Sequence, residues 1–309
     1  MIVDVHYHLL PVVNKQMAAN LSMFLVDAAR KMGKTITAEE IEKKALETWA
    51  DPTGERLIAD MDRDGINVTV ICMVDNADNP IMTPQRAQKA NQIVGQVAQR
   101  FPDRIIALAG VDPRRPEAVS MMKQCFEEYG VKGLKYHPDY GYHPAGPDSY
   151  KVLEVVAENQ GFLLTHTGPL MPPARCKYAD PALLADLAVD FPKMKVIAAH
   201  MGFVNWRPWA SLASYQPTLH GDLAMWDMPA YGNYDFFCRE LRDLIDCAGI
   251  SKILFGTDGP IMSILESTGA FIELIRNLPD NAPQGINFTK DEVDAILGIN
   301  AARLLGLSR

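Results

Sequence analysis

Residues 2–11 read IVDVHYHLLP, with two histidines, His6 and His8, two positions apart in an apolar run. On a strand, residues i and i+2 share a face, so both imidazoles project together with Cα atoms about 7 Å apart. On a helix the same spacing would turn them roughly 200° apart. The pair makes sense as two ligands only on a strand. Val3, Val5 and Tyr7 then take one face, and Ile2, Asp4, His6 and His8 the other.

Working outward, short β-rich runs recur along the whole chain. Strands are expected at 2–8, 67–74 (NVTVICMV), 104–111 (RIIALAGV), 131–137 (VKGLKYH), 161–166 (GFLLTH), 195–200 (KVIAAH), 220–226 (HGDLAMW) and 252–258 (KILFGTD). Helix-like segments lie between them, such as TPQRAQKANQIVGQVAQRF, PEAVSMMKQCFEEYG and NYDFFCRELRDLIDCAG. Pro84 and Pro116 sit near helix starts, where a missing N–H costs nothing. Gly130 and Gly249 fall where helices should end. Strand then helix, repeated in this way, predicts an α/β fold of the (β/α)8 TIM-barrel type over a single domain, 1–309. A doubly wound open sheet is the rival. No glycine-rich phosphate turn follows the first strand, which favours the barrel.

Two connections are long. Residues 9–56 hold a helix in TAEEIEKKALETW, with Thr37 and Glu40 at capping-box spacing and Ile41, Ala45 and Trp49 on one face. This insertion is read as a lid or a subunit contact. The second, 201–218, carries Phe203, Trp206, Trp209 and Tyr215, which are expected to pack the loop onto the barrel.

Composition narrows the partners. A formal net charge of −8 argues against a nucleic-acid binder, which needs a basic face. No stretch approaches a membrane span, and the N-terminus lacks the basic region of a signal peptide. The five cysteines (Cys72, Cys125, Cys176, Cys238, Cys247) are scattered and never in a C-x-x-C pair, which points to reduced thiols in a cytoplasm and away from a zinc-thiolate site.

The other histidines fall at matching places. His137 closes the fourth predicted strand, His166 the fifth and His200 the sixth, while Asp258 closes the eighth. Barrel enzymes build their sites at these C-terminal strand ends. One buried histidine is ordinarily a packed core residue, but five of the seven at strand ends point to a divalent-metal site. Imidazole and carboxylate ligands suit zinc first, with manganese or another first-row metal as alternatives. His143 and His220 read as structural.

The motifs DVHYHLLP, GLKYHP, LLTHTG, IAAHMG, LFGTDGP and INAARLLGL together resemble the amidohydrolase superfamily. They are most similar to its amidohydrolase 2 branch, related to aminocarboxymuconate-semialdehyde decarboxylase. The resemblance implies His6, His8 and His166 as metal ligands, with Asp258 a fourth ligand or a proton carrier. It implies that His200 acts on the metal-bound water or binds a second metal. Lys135 stands where some members carry a carboxylated bridging lysine; a plain amine contacting substrate or a neighbouring carboxylate is the alternative, and His137 is a candidate either for contact with the substrate or the ligands or for simple hydrogen bonding to its loop. The muconate decarboxylases grip their carboxylate with arginines. Here Arg56 and Arg63 fall on a helix, the expected HGGG reads HMGF, and Arg207 is a candidate clamp at a different spacing.

Three function classes follow. The first is a metal-dependent hydrolase of a small-molecule ester, lactone or amide, using a metal-activated water with His200 or Asp258 as proton carrier. The second is a non-oxidative decarboxylase or hydratase of a small carboxylated aromatic or ring-cleavage product. The third is a non-catalytic metal-binding barrel. A small-molecule substrate and a homo-oligomer, a dimer through the 9–56 segment, complete the expectation.

Overall fold

The computed structural model describes residues 1–307. Eight strands form one sheet in sequence order: β1 (Val3–His8), β2 (Val68–Cys72), β3 (Ile105–Gly110), β4 (Gly133–Tyr136), β5 (Phe162–His166), β6 (Lys195–Ala199), β7 (Leu219–Asp222) and β8 (Ile253–Leu254). Helices alternate with them, and the fold is a (β/α)8 TIM barrel. By internal packing the chain divides into two compact units, one of Met1–Thr69 with Leu223–Arg309 and one of Val70–Asp222.

In the first unit, every residue of β1 is buried, as a parallel strand covered on both faces requires. Only two residues of β8 keep strand geometry, yet its ladder with β1 continues beyond them. Val5 N–H donates to Phe255 O (3.0 Å), Asp258 N–H to His6 O (2.9 Å) and His8 N–H to Gly259 O (2.7 Å). The predicted eighth strand thus ends early in form while its path is kept by bonds to β1. The 9–56 insertion holds two helices, α1 (Lys15–Lys31) and α2 (Ala38–Thr48), followed by α3 (Glu55–Asp64). The expected capping box of Thr37 and Glu40 opens α2, and Ile41, Ala45 and Trp49 are buried along one face. Asn14 caps α1, a helix that the sequence reading left out; its first turn lacks acidic residues and its apolar stripe is thin.

In the second unit, β3 to β7 pair parallel in unbroken register, for example Leu164 of β5 with Lys135 of β4 and Ile197 of β6. The helices α4 (Pro84–Arg100), α5 (Ala118–Tyr129) and α6 (Pro147–Glu158) lie between strands. Pro84 and Pro147 stand in first turns and Gly130 ends α5 in the left-handed conformation. The seventh strand differs from its prediction. It stops at Asp222; in the first unit, the apolar run Leu223–Trp226 is a buried loop, with Met225 at φ 64°. Apolar runs without alternation do not mark where pairing stops.

Candidate active site

In the first unit, His6 and His8 end β1 with their rings turned to the same side. Their Nε2 atoms lie 3.1 Å apart, and Asp258 Oδ1 lies 3.2 Å from His6 Nε2 and 3.1 Å from His8 Nε2. All three residues are buried. Ligand atoms sharing one ion at about 2.0–2.2 Å stand roughly 2.8–3.6 Å from each other, so this triangle has the spacing and donor chemistry that a divalent cation requires. Asp4, one position down the same strand face, holds the arrangement from behind. Its carboxylate accepts from the backbone of His6 (3.0 Å) and Thr257 (3.1 Å) and from the Thr257 hydroxyl (2.7 Å). Asp258 itself sits at φ 56°, a left-handed conformation that a non-glycine residue adopts only where its surroundings impose it.

Also in this unit is Asp227, which sequence reading missed. It is buried at the start of the helix Asp227–Gly232, and one oxygen accepts from the Met228 backbone at 3.0 Å. Burial, with the charges of Asp258 and Glu266 adding to it, pushes its carboxyl up to about 7, against a partial offset from backbone N–H groups.

In the second unit the site residues form a row of rings. Tyr140 stacks on His137 (centroids 4.9 Å, 18°), His137 on His166 (4.7 Å, 10°), His166 meets His200 edge-on (5.0 Å, 61°), and Phe203 lies 5.6 Å beyond. His166 Nε2 lies 3.1 Å from the Gly168 carbonyl. A ring donating Nε2–H there keeps its lone pair on Nδ1, the usual way a backbone carbonyl orients a ligating histidine. Thr167 ties the two loops together, donating to Ala199 O (2.6 Å) and accepting from Gly202 N–H (2.9 Å). Asp222, at the end of β7, accepts from the His200 backbone at 2.9 Å.

The backbone after β6 is left-handed over four consecutive residues, His200, Met201, Gly202 and Phe203, at φ of 65°, 56°, 83° and 59°, and strained at the three that are not glycine. Gly168 and Gly202 stand backbone to backbone, and a Cβ on Gly168 would come within 3.2 Å of the Gly202 carbonyl carbon. The glycine two residues after each histidine, in HTG and HMG, is thereby explained.

Lys135 and His137 are both buried at the end of β4. Arg207 is different. It is exposed at the start of the helix Arg207–Ala213, its guanidinium 4.4 Å from the Trp206 ring centre. His143, which accepts from Ala145 N–H, and His220, with Nδ1 near Thr218 O, make local loop contacts. Besides Asp227, sequence reading passed over Asp139 and Asp222. The signals were present, an aspartate directly after His137–Pro138 and another closing LHGD, but neither stood at a predicted strand end.

With this geometry in hand, the family model described as Amidohydrolase matches residues 3–307. The chain belongs to the amidohydrolase family of enzymes. Among solved structures, it is similar to a dihydroxybenzoic acid decarboxylase from Polaromonas sp. with bound manganese and the inhibitor 2-nitroresorcinol, at 16% identity and TM-score 0.66, over 100% of this chain and 97% of that one. It is similar to 5-carboxyvanillate decarboxylase from Sphingomonas paucimobilis, at 15% identity and TM-score 0.64, over 99% of both chains. A third is 2,6-dihydroxybenzoate decarboxylase from Rhizobium, at 18% identity and TM-score 0.63, over 99% and 98%. At these identities the likeness is one of fold. No curated protein matches the chain. Among the described residues, no helix is long and apolar enough to cross a membrane.

Proposed function

We propose that this amidohydrolase is a metal-dependent, non-oxidative decarboxylase of a small aromatic acid. The observation that carries the reading is the donor triangle of His6, His8 and Asp258, at the spacing one divalent ion requires. The choice of decarboxylation over the hydrolysis first expected is supported by the near full-length likeness to aromatic-acid decarboxylases, three of which are named above.

The metal is proposed to be held by His6, His8, His166 and Asp258, with manganese as in the Polaromonas structure as apt as zinc. When bound, the ion supplies positive charge that orients the substrate's oxygens and steadies the charge of the transition state. Lys135, buried at the end of β4, supplies a further cation in place of the arginines the sequence lacks. His137 contacts the substrate. His200, outside the donor triangle, carries the proton. As the bond between ring carbon and carboxylate breaks, its electron pair remains on the ring carbon, the proton passes from His200 to that carbon, and carbon dioxide leaves.

The absence of disulfides among the five cysteines supports a cytoplasmic setting. Exposed Val12, Met23 and Leu46 support a dimer through the 9–56 segment, which sedimentation would test. For the reaction, metal-loaded protein is incubated with carboxylated phenols and, separately, with lactones, esters and amides. Carbon dioxide release from an aromatic acid is expected. Hydrolysis of an ester, lactone or amide with no carbon dioxide from any acid would overturn the reading.

A further inference from the structure

His137 is held on every side by the second unit. Its backbone N–H donates to the Tyr142 hydroxyl at 2.7 Å, and its ring is sandwiched between Tyr140 and His166. Its Nδ1 lies 2.8 Å from Asp139 Oδ1. Asp139 is wholly buried, and its Oδ2 has no hydrogen-bond partner among the described residues. A buried carboxylate oxygen left without a donor is uncommon and costs stability unless a specific role retains it. Burial pushes this carboxyl up. The His137 imidazole, by charge and hydrogen bond, then the Asp139 backbone and Lys135 outweigh that effect and hold it below the ordinary carboxylate range. The loop is fixed as well, since Arg175 N–H donates to the Asp139 carbonyl at 2.6 Å.

We propose that Asp139 is a positioning residue for His137: its buried carboxylate holds the Nδ1–H and so makes Nε2 the atom that His137 turns to the substrate. The logic is that of a carboxylate orienting a catalytic imidazole, in which the acid fixes tautomer and angle without taking up the proton. The ring sandwich restrains tilt but not a flip about the Cβ–Cγ bond, whereas the Asp139 contact distinguishes one ring nitrogen from the other. The role in turnover rests on the proposed decarboxylase reading, whereas the hydrogen bond itself does not.

The test compares Asp139→Ala and Asp139→Asn with the parent protein, all zinc-loaded. Proton–nitrogen correlation spectra, assigned through His137→Gln, are expected to show a downfield Nδ1–H for His137 in the parent and its loss in Asp139→Ala. With the aromatic acid found above, kcat is expected to fall by roughly 10–100-fold in Asp139→Ala with KM changed less than about twofold and metal content kept. If Asp139→Ala does not fold, Asp139→Asn supplies both readouts, with the resonance moved or lost as the carboxylate charge disappears. A His137 Nδ1 without a proton in the parent, an unchanged resonance in the variants, or an unchanged kcat overturns the proposal. Where no aromatic acid is decarboxylated, the spectra still decide the hydrogen bond, so the two readings fail separately.

Discussion

In the first unit, His6, His8 and Asp258 rest on a backbone ladder between β1 and the chain after β8, braced by Asp4 and Thr257. In the second unit, His137, His166 and His200 form a row of ring contacts, carried by loops with glycine contacts and left-handed residues. The first arrangement brings three donor atoms to one point. The second spreads imidazoles along a row of ring contacts. A ladder fixes position at the level of the backbone, where a side-chain change leaves the frame standing. A ring row on strained loops depends on each neighbour, so its losses propagate.

Substitutions can break this contrast, and the largest effect is expected in the triangle. His6→Ala or Asp258→Ala should lose stoichiometric metal and at least about 10³-fold in turnover while far-ultraviolet circular dichroism stays native. Metal analysis decides it, and full metal retention would remove the ligand assignment. His200→Asn should retain the metal and lose roughly 10²–10⁴-fold in kcat, as for loss of a general acid; parental rates would reassign the proton.

Smaller effects fall on stability. Asp227 loses its proton near the ordinary aspartate value in the unfolded chain but only at about 7 when folded. Its contribution to stability therefore falls as pH rises from about 4 to 7. In metal-free protein, Asp227→Asn should be neutral at pH 4 and stabilising by a few kcal/mol at pH 8; a melting difference that does not grow with pH would contradict this. Gly202→Ala, at φ 83° with its Cβ 2.7 Å from Pro181 Cγ, should cost about 1–3 kcal/mol in denaturant unfolding and slow turnover together. Arg207→Ala sharpens the contrast from the other side. Exposed and lying on Trp206, it should change kcat/KM by less than about twofold; a rise in KM of tenfold would restore it as a carboxylate clamp.

The barrel was legible in the sequence because strand runs and helix runs alternate with clear caps, and Thr37, Pro84 and Gly130 act where their chemistry predicts. His6 and His8 were legible because period-two spacing forces a shared face. Strand ends were less so. His137 and His200 lie one residue past β4 and β6, where loops turn away before the hydrophobic run ends, and Asp258 lies four past β8 on a stretch that keeps its bonds to β1 without strand form. Asp139 and Asp222 were missed for a related reason: one acts after a Pro138 turn, the other through the backbone of His200, and neither action leaves a periodic trace.

The ladder that carries the donor triangle joins segments far apart in the sequence. Asp4 and Thr257 are 253 residues apart in sequence. At about 5–20 residues per second of synthesis, roughly 12–50 s separate their appearance at the ribosome. Through that interval the first two histidines have no carboxylate partner, and the strand bearing them lacks one edge of its pairing. Completion of the triangle thus waits for synthesis of the segment that carries Asp258, and a chain truncated before Thr257 would keep His6 and His8 without the group that gathers them.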